Sequence, residues 1–231
     1  MTLSAELRSI LEETGAKLIG FGDMSSALDS PFSAGALVSR FPVGVAVAIP
    51  LPVNIVRGIA DGPTKEYLDT YQKMNGQLDH IVECGAEFLQ KQGFRALAQT
   101  CEYVSAHASQ GNFIPHKTVA TRAGIGWIGK SCLLVTEKYG SAIRLSSILT
   151  DAPLETDTPI DQSKCGGCKR CCEACPAGAL TGKLWDVTVT REEMLDSQAC
   201  RDKQYELMQK RTGIHTGLCG KCFEVCPYTR R

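Results

Sequence analysis

Apolar positions near the start of the chain return at helical intervals. Leu7, Ile10 and Leu11 share one face over residues 4–14, Ser4 can cap the start and Gly15 follows the end, so the spacing predicts a helix. Lys17–Phe21 reads as a strand, and residues 25–40 show no clean period, as a loop or short helix would. Val43–Ile49 is a short apolar run between Pro42 and Pro50, which favours a buried strand. From Pro63 to Gln92, the residues Tyr67, Tyr71, Leu78, Ile81, Val82 and Leu89 recur mostly at three- and four-residue steps; this predicts a long helix, stopped by Gly93 and marked by Gly76 as a site for a bend. Phe94–Ala98 reads as a strand, and His116–Ala123 as a helix opened by Pro115.

Past a glycine-rich loop, Cys132–Thr136 and Ala142–Leu149 read as two strands with a turn at Tyr139-Gly140. Asp151–Ser163, with Pro153, Pro159 and several acidic residues, reads as a linker. Beyond it the apolar pattern thins. A turn of helix is expected after Pro176 and a helical arm over Arg191–Gln209. The organisation implied is an α/β domain over residues 1–155 and a small α+β, ferredoxin-like domain over 156–231.

Cysteine spacing changes the picture of that second domain. Cys165-Gly-Gly-Cys168-Lys-Arg-Cys171-Cys172-Glu-Ala-Cys175-Pro176 contains C-x2-C-x2-C-x3-C-P, the bacterial ferredoxin spacing for iron–sulfur ligation. In that pattern the fourth cysteine serves a different cluster. The second run, Cys219-Gly-Lys-Cys222-Phe-Glu-Val-Cys226-Pro227, supplies one, and Cys200 between the runs makes the eighth thiolate. The crossed rule assigns Cys165, Cys168, Cys171 and Cys226 to one 4Fe–4S cluster, and Cys175, Cys200, Cys219 and Cys222 to the other. Structural zinc is the bland alternative for paired C-x2-C. Cys172 falls outside the spacing, while Cys84, Cys101 and Cys132 read as buried thiols.

Lys+Arg and Asp+Glu are both 25, so no overall basic field points to nucleic acid. Cluster-spaced thiolates need a reducing compartment. The N-terminus shows no apolar signal core and no stretch reaches about 20 uninterrupted apolar residues, so the expected location is the cytoplasm, away from membranes.

Gly124-Ile-Gly-Trp-Ile-Gly-Lys-Ser131 satisfies both the phosphate-loop and the dinucleotide glycine patterns. Both require a strand before the loop and a helix after it, whereas the flanks here run helix then strand, which disfavours a nucleotide-driven protein. Glycines at this point would instead let a flat ligand approach the backbone, with Trp127 beside it and Lys130 available to an anionic group.

The arrangement Arg122-Ala-Gly-Ile-Gly-Trp-Ile-Gly-Lys130, then Leu133-Leu-Val, Gly140-Ser, Leu149-Thr-Asp-Ala-Pro-Leu154 and the two cysteine–proline runs resembles the epoxyqueuosine reductase family, which is related to the reductive dehalogenases. The resemblance implies a nitroreductase-like α/β domain holding cobalamin or another corrinoid, fed with electrons by two 4Fe–4S clusters. Gly124, Gly126, Trp127, Gly129 and Lys130 match the family's loop near that cofactor. It further implies an electron donor protein such as ferredoxin or flavodoxin, and a small-molecule or corrinoid substrate. The family's Asp-Ser-x-Pro segment, whose aspartate donates a proton, is replaced here by Gly111-Asn-Phe-Ile-Pro115-His116, leaving His116 as a candidate donor. Many members continue into a helical tRNA-binding region where this sequence stops at Arg231, so the expectation is a different substrate and no tRNA partner. An electron carrier or corrinoid reductase without a small substrate of its own is the alternative.

Overall fold

The computed structural model describes residues 2–25, 35–107 and 112–229. The chain divides into two compact units that interleave along the sequence: residues 1–49, 74–126 and 144–161 form the first, and residues 50–73, 127–143 and 162–231 the second. The element order is α1 (Leu3–Glu13), β1 (Leu18–Asp23), α2 (Gly35–Arg40), β2 (Val43–Pro50), α3 (Val53–Gly58), α4 (Lys65–Lys91), β3 (Ala96–Ala98), α5 (Cys101–His107), α6 (His116–Arg122), β4 (Trp127–Ile128), β5 (Leu134–Val135), β6 (Ile143–Thr150), α7 (Arg170–Glu173), α8 (Ser197–Thr212) and α9 (Lys221–Glu224). It is a mixed α/β chain.

The first unit is built on a four-stranded sheet in the order β1-β2-β6-β3, with β1 antiparallel to β2 and β3 antiparallel to β6. β2 is buried from Gly44 to Ile49, as its uninterrupted apolar run requires. Leu7 and Leu11 of α1 are fully buried, as are Ile81, Val82 and Leu89 of α4 and Ile148 and Leu149 of β6. Gly85 permits the close packing here: a Cβ on it would meet Ile148 Cδ1 at 2.7 Å and Leu11 Cδ2 at 2.8 Å. Gly20 does the same for α6 on β1, since a Cβ there would stand 2.2 Å from the Ala123 carbonyl oxygen.

Several expectations are corrected. The cap of α1 is Thr2, whose hydroxyl accepts from Ala5 N–H, two residues earlier than Ser4. α4 runs unbroken through Gly76 because an interior helical glycine costs only about 1 kcal/mol and tertiary packing overrides it. The turn after Pro176 forms no helix, and the arm starts later than Arg191, at the side-chain cap of Asp196. α3 and α5 carry too short a period to be read from the sequence. Of the aperiodic stretch 25–40, residues 26–34 lie outside the described residues, and α2 follows them. Cys132 is buried, but Cys84 is half-buried beside His80 at 3.7 Å, and Cys101 is exposed. No helix among the described residues is long and apolar enough to cross a membrane.

In the second unit, residues 50–73 and 127–143 supply most of the apolar core: Ile55, Val56, Ile59, Tyr67, Trp127, Leu134 and Val135 are buried. Tyr67 meets Phe223 edge to face at 5.9 Å. Residues 162–231 add few buried apolar side chains, chiefly Ala179, Met194, Met208, Leu218 and Phe223.

Candidate metal centre and glycine loop

Two short helices bring the cysteine runs together. α7 carries Cys171 and Cys172, α9 carries Cys222, and the two helices pack on each other. Each run is shaped by a left-handed glycine, Gly166 at φ +54° and Gly220 at φ +86°. Gly220 is also a contact point, since a Cβ on it would meet Ile59 Cδ1 at 2.6 Å. The Cys165 carbonyl accepts from Cys168 N–H at 3.3 Å, and that of Phe223 from Cys226 N–H at 3.2 Å, so each run is held as a chain of tight turns.

Cys165, Cys168, Cys171, Cys222 and Cys226 line one cavity with Lys130, Ser131, Val135 and Tyr228. Burial pushes the Cys171 thiol up to about 12, and Cys172, Cys165 and Cys226 add to the rise. The Cys219 thiol is raised by burial and further by Cys200 and Cys175, and burial likewise raises Cys222, with Cys219 its largest thiol neighbour. Cys171 thus feels Cys172, Cys165 and Cys226, Cys219 feels Cys200 and Cys175, and Cys222 lies between the sets, feeling Cys219, Cys200 and Cys175 but also Cys171. Cys172 lies 4.0 Å from Cys171, sulfur to sulfur, and Cys200 Sγ accepts from Gln204 Nε2 at 3.2 Å. All twelve cysteines are free thiols. Crowded, half-buried thiols, five of them facing one cavity, fit a soft, cationic iron–sulfur body, which would stabilise them as thiolates. Among the described residues no three His, Cys, Asp or Glu side chains converge on a single-ion site.

The glycine loop divides between the units. Gly124 and Gly126 belong to the first, Trp127, Gly129 and Lys130 to the second. Gly124, at φ +66°, ends α6 as a left-handed residue, with Ile125 N–H bonded back to the Ala120 carbonyl. The loop therefore closes a helix instead of opening one, and offers phosphate no helix N-terminus. Trp127 and Ile128, expected within the loop, form β4 against β5. Trp127 is fully buried with its ring edge-on to Tyr228 at 5.0 Å and the Lys164 ammonium 5.4 Å from its centroid; its indole N–H has no hydrogen-bond partner among the described residues. The space above the glycines is filled as well. A Cβ on Gly124 would meet the Thr158 carbonyl oxygen at 2.6 Å, and one on Gly129 would meet Val135 at 2.6 Å and Cys165 Sγ at 3.4 Å. Lys130 is 5% exposed and donates to the Gly166 carbonyl at 2.7 Å. As disposed here, these residues do not present an open face to a corrinoid.

His116 sits in the first unit. Its Nδ1 lies 2.8 Å from Ser147 Oγ, which accepts from Gln99 Nε2 at 2.8 Å, while Gln99 also pairs with both backbone groups of Ile114. Burial, with the Arg144 charge second, pushes His116 down to about 4, which favours the neutral imidazole near pH 7. Gln99 and Ser147 escaped the sequence reading; the signal available was Ser146-Ser147, polar residues inside an otherwise apolar strand.

Residues 164–229 match the 4Fe–4S double cluster binding domain. That match and the crowded cysteines define an iron–sulfur protein. Among curated proteins, the epoxyqueuosine reductase of Listeria monocytogenes serovar 1/2a is 39% identical over 115 residues, which are 48% of this chain and 29% of that protein. In fold, the chain is similar to a crystal structure of epoxyqueuosine reductase with a tRNA-Tyr epoxyqueuosine-modified tRNA stem loop, at TM-score 0.64 and 24% identity, covering 98% of this chain and 65% of that one. It is also similar to a reductive dehalogenase structure that suggests a mechanism for B12-dependent dehalogenation, at TM-score 0.67 and 17% identity, covering 97% of this chain and 31% of that one. The resemblance to the epoxyqueuosine reductases thus holds in sequence over about half the chain and in fold over nearly all of it, while the chain spans less than two thirds of the length of these relatives. The nitroreductase-like description receives no support beyond a mixed α/β fold.

Proposed function

We propose that this chain is an iron–sulfur reductase that carries two 4Fe–4S clusters and passes electrons to a second, corrinoid cofactor. Cys165, Cys168, Cys171 and Cys226 would hold one cluster; Cys175, Cys200, Cys219 and Cys222 the other. The observation that carries this reading is that Cys226, from the second run, lines one cavity with Cys165, Cys168 and Cys171 from the first. Bound clusters supply one-electron transfer. The protein's part is to hold the loops and screen the sulfur: Gly166 and Gly220 turn the chain, Lys130 ties down the first loop, and Gln204 donates to Cys200.

In this reading the corrinoid belongs to the first unit and the clusters to the second. Support for cobalamin comes from the fold shared with a B12-dependent dehalogenase. The side chains that would hold it are not Trp127 or Lys130, which are already engaged within the second unit. Electrons would come from a ferredoxin or flavodoxin in the cytoplasm. The expectation that tRNA is no partner is not carried forward, because a relative of the same fold holds a tRNA stem loop. The engagement of the loop residues favours one second reading, an electron carrier or corrinoid reductase with no small substrate of its own.

Iron and sulfide analysis after anaerobic reconstitution tests the clusters: eight irons per chain are expected. Cys226→Ser should damage one cluster signal and Cys175→Ser the other, while Cys172→Ser, Cys84→Ser, Cys101→Ser and Cys132→Ser keep both. Stoichiometric zinc without charge-transfer absorbance would refute the reading. Titration with cob(II)alamin separates a corrinoid-using reductase, which should give a spectral change, from a plain electron carrier, which should give none.

A further inference from the structure

Lys130 of the loop reaches the first cysteine run with a hydrogen bond. Its side chain is almost fully buried, it donates to the Gly166 carbonyl between Cys165 and Cys168, and it lines the cavity shared by Cys165, Cys168, Cys171, Cys222 and Cys226. The other cations of this region are differently placed. Lys164 pairs with Glu137 at 2.6 Å, Lys221 with Glu224 at 2.9 Å, and Lys169 and Arg170 are exposed. Among the described residues no carboxylate pairs with Lys130.

A buried ammonium with only a carbonyl partner is costly unless an anion stands near it. A cubane with four thiolates is such an anion, and it gains one more negative charge on reduction. A fixed positive charge stabilises the reduced form more than the oxidised one, and charge and hydrogen bonding are the terms that set cluster potentials. We propose that Lys130 is a positioning residue for the cluster of Cys165, Cys168, Cys171 and Cys226, and that its charge raises that cluster's reduction potential selectively. This rests on the ligand assignment above.

The test is an EPR-monitored redox titration of the reconstituted full chain, reduced stepwise with dithionite. The signal lost in Cys226→Ser identifies the cluster. Lys130→Gln, which keeps a donor and removes the charge, should lower that cluster's equilibrium constant for reduction about tenfold, about 59 mV for one electron, and leave the other signal in place. Lys130→Arg should restore the wild-type value, and Lys164→Gln, which removes an exposed and paired charge, should shift it far less. A wild-type potential in Lys130→Gln, an equal shift of both clusters, or a shift in Lys130→Arg as large as in Lys130→Gln would overturn the proposal. Should Lys130→Gln lose iron, Lys130→Arg decides: full iron at the wild-type potential supports the charge, and loss there too refutes it. A wild-type chain that never takes up eight irons instead fails the ligand assignment, and this proposal falls with it.

Discussion

The two units solve the problem of stability differently. In the first, a sheet with a fully apolar central strand is covered by helices, and glycines at positions 20 and 85 let the layers touch. In the second, the apolar core comes mostly from residues 50–73 and 127–143, while the cysteine-rich stretch buries few apolar side chains and crowds its thiols instead. α8, its longest element, has only Met208 fully buried. On the proposed ligand assignment, bound clusters would supply residues 162–231 with the order that their few buried apolar side chains do not, since metal binding energy is folding energy where the site is unformed in the unfolded chain.

The largest effect should follow from breaking that ligation. Oxidative removal of iron, or Cys226→Ser combined with Cys175→Ser, should raise proteolysis within residues 162–231 by about tenfold or more, because local opening there loses its main restraint. The sheet of the first unit should keep its protection. Limited proteolysis with mass mapping of the fragments checks this, and equal loosening of both regions would erase the distinction.

The converse experiment strikes the apolar unit. Gly20→Val places side-chain atoms against the Ala123 carbonyl, which lies 2.2 Å from the position of a Cβ, so α6 must move off β1. A cost of about 3 kcal/mol is expected in urea unfolding, with iron content unchanged. A variant that loses iron before it loses the sheet would show that the units do not fold independently.

The same contrast explains what could be read from the chain. Ligand spacing is set by cluster size, so the cysteine runs were legible directly, and the apolar run Val43–Ile49 announced a buried strand because nothing else buries both faces of so short a segment. The glycine loop misled on its interior, since nothing local says that Trp127 turns inward to meet Tyr228, about 100 residues further on. The interleaving of the units was equally hidden, because residues 50–73 join the cysteine region only through tertiary contacts such as Tyr67 with Phe223. Cys101 shows the limit of residue type alone: cysteine is usually buried, but this one heads a short helix and is exposed, with its N–H donated to Asp79.

The smallest effect concerns the polar knot in the apolar unit. His116 is held neutral beside Ser147 and Gln99, with its pKa lowered from 6.5 to about 4 by burial and then by Arg144. The unfolded chain therefore takes up a proton near pH 6.5 that the folded chain refuses until about pH 4. The stability this group contributes is complete above pH 6.5, falls as pH drops from 6.5 to 4, and is flat below. At pH 4.5 the loss should reach about 2 kcal/mol. His116→Gln keeps a partner for Ser147 but cannot titrate. Urea midpoints of the two proteins, converted to free energies and subtracted at each pH, isolate the histidine from the carboxylates, which both chains share. The difference should be constant above pH 6.5 and move in favour of the glutamine variant on acidification. A pH-independent difference would mean that folding leaves the His116 pKa unshifted, and would return it to consideration as a group that titrates near neutral pH.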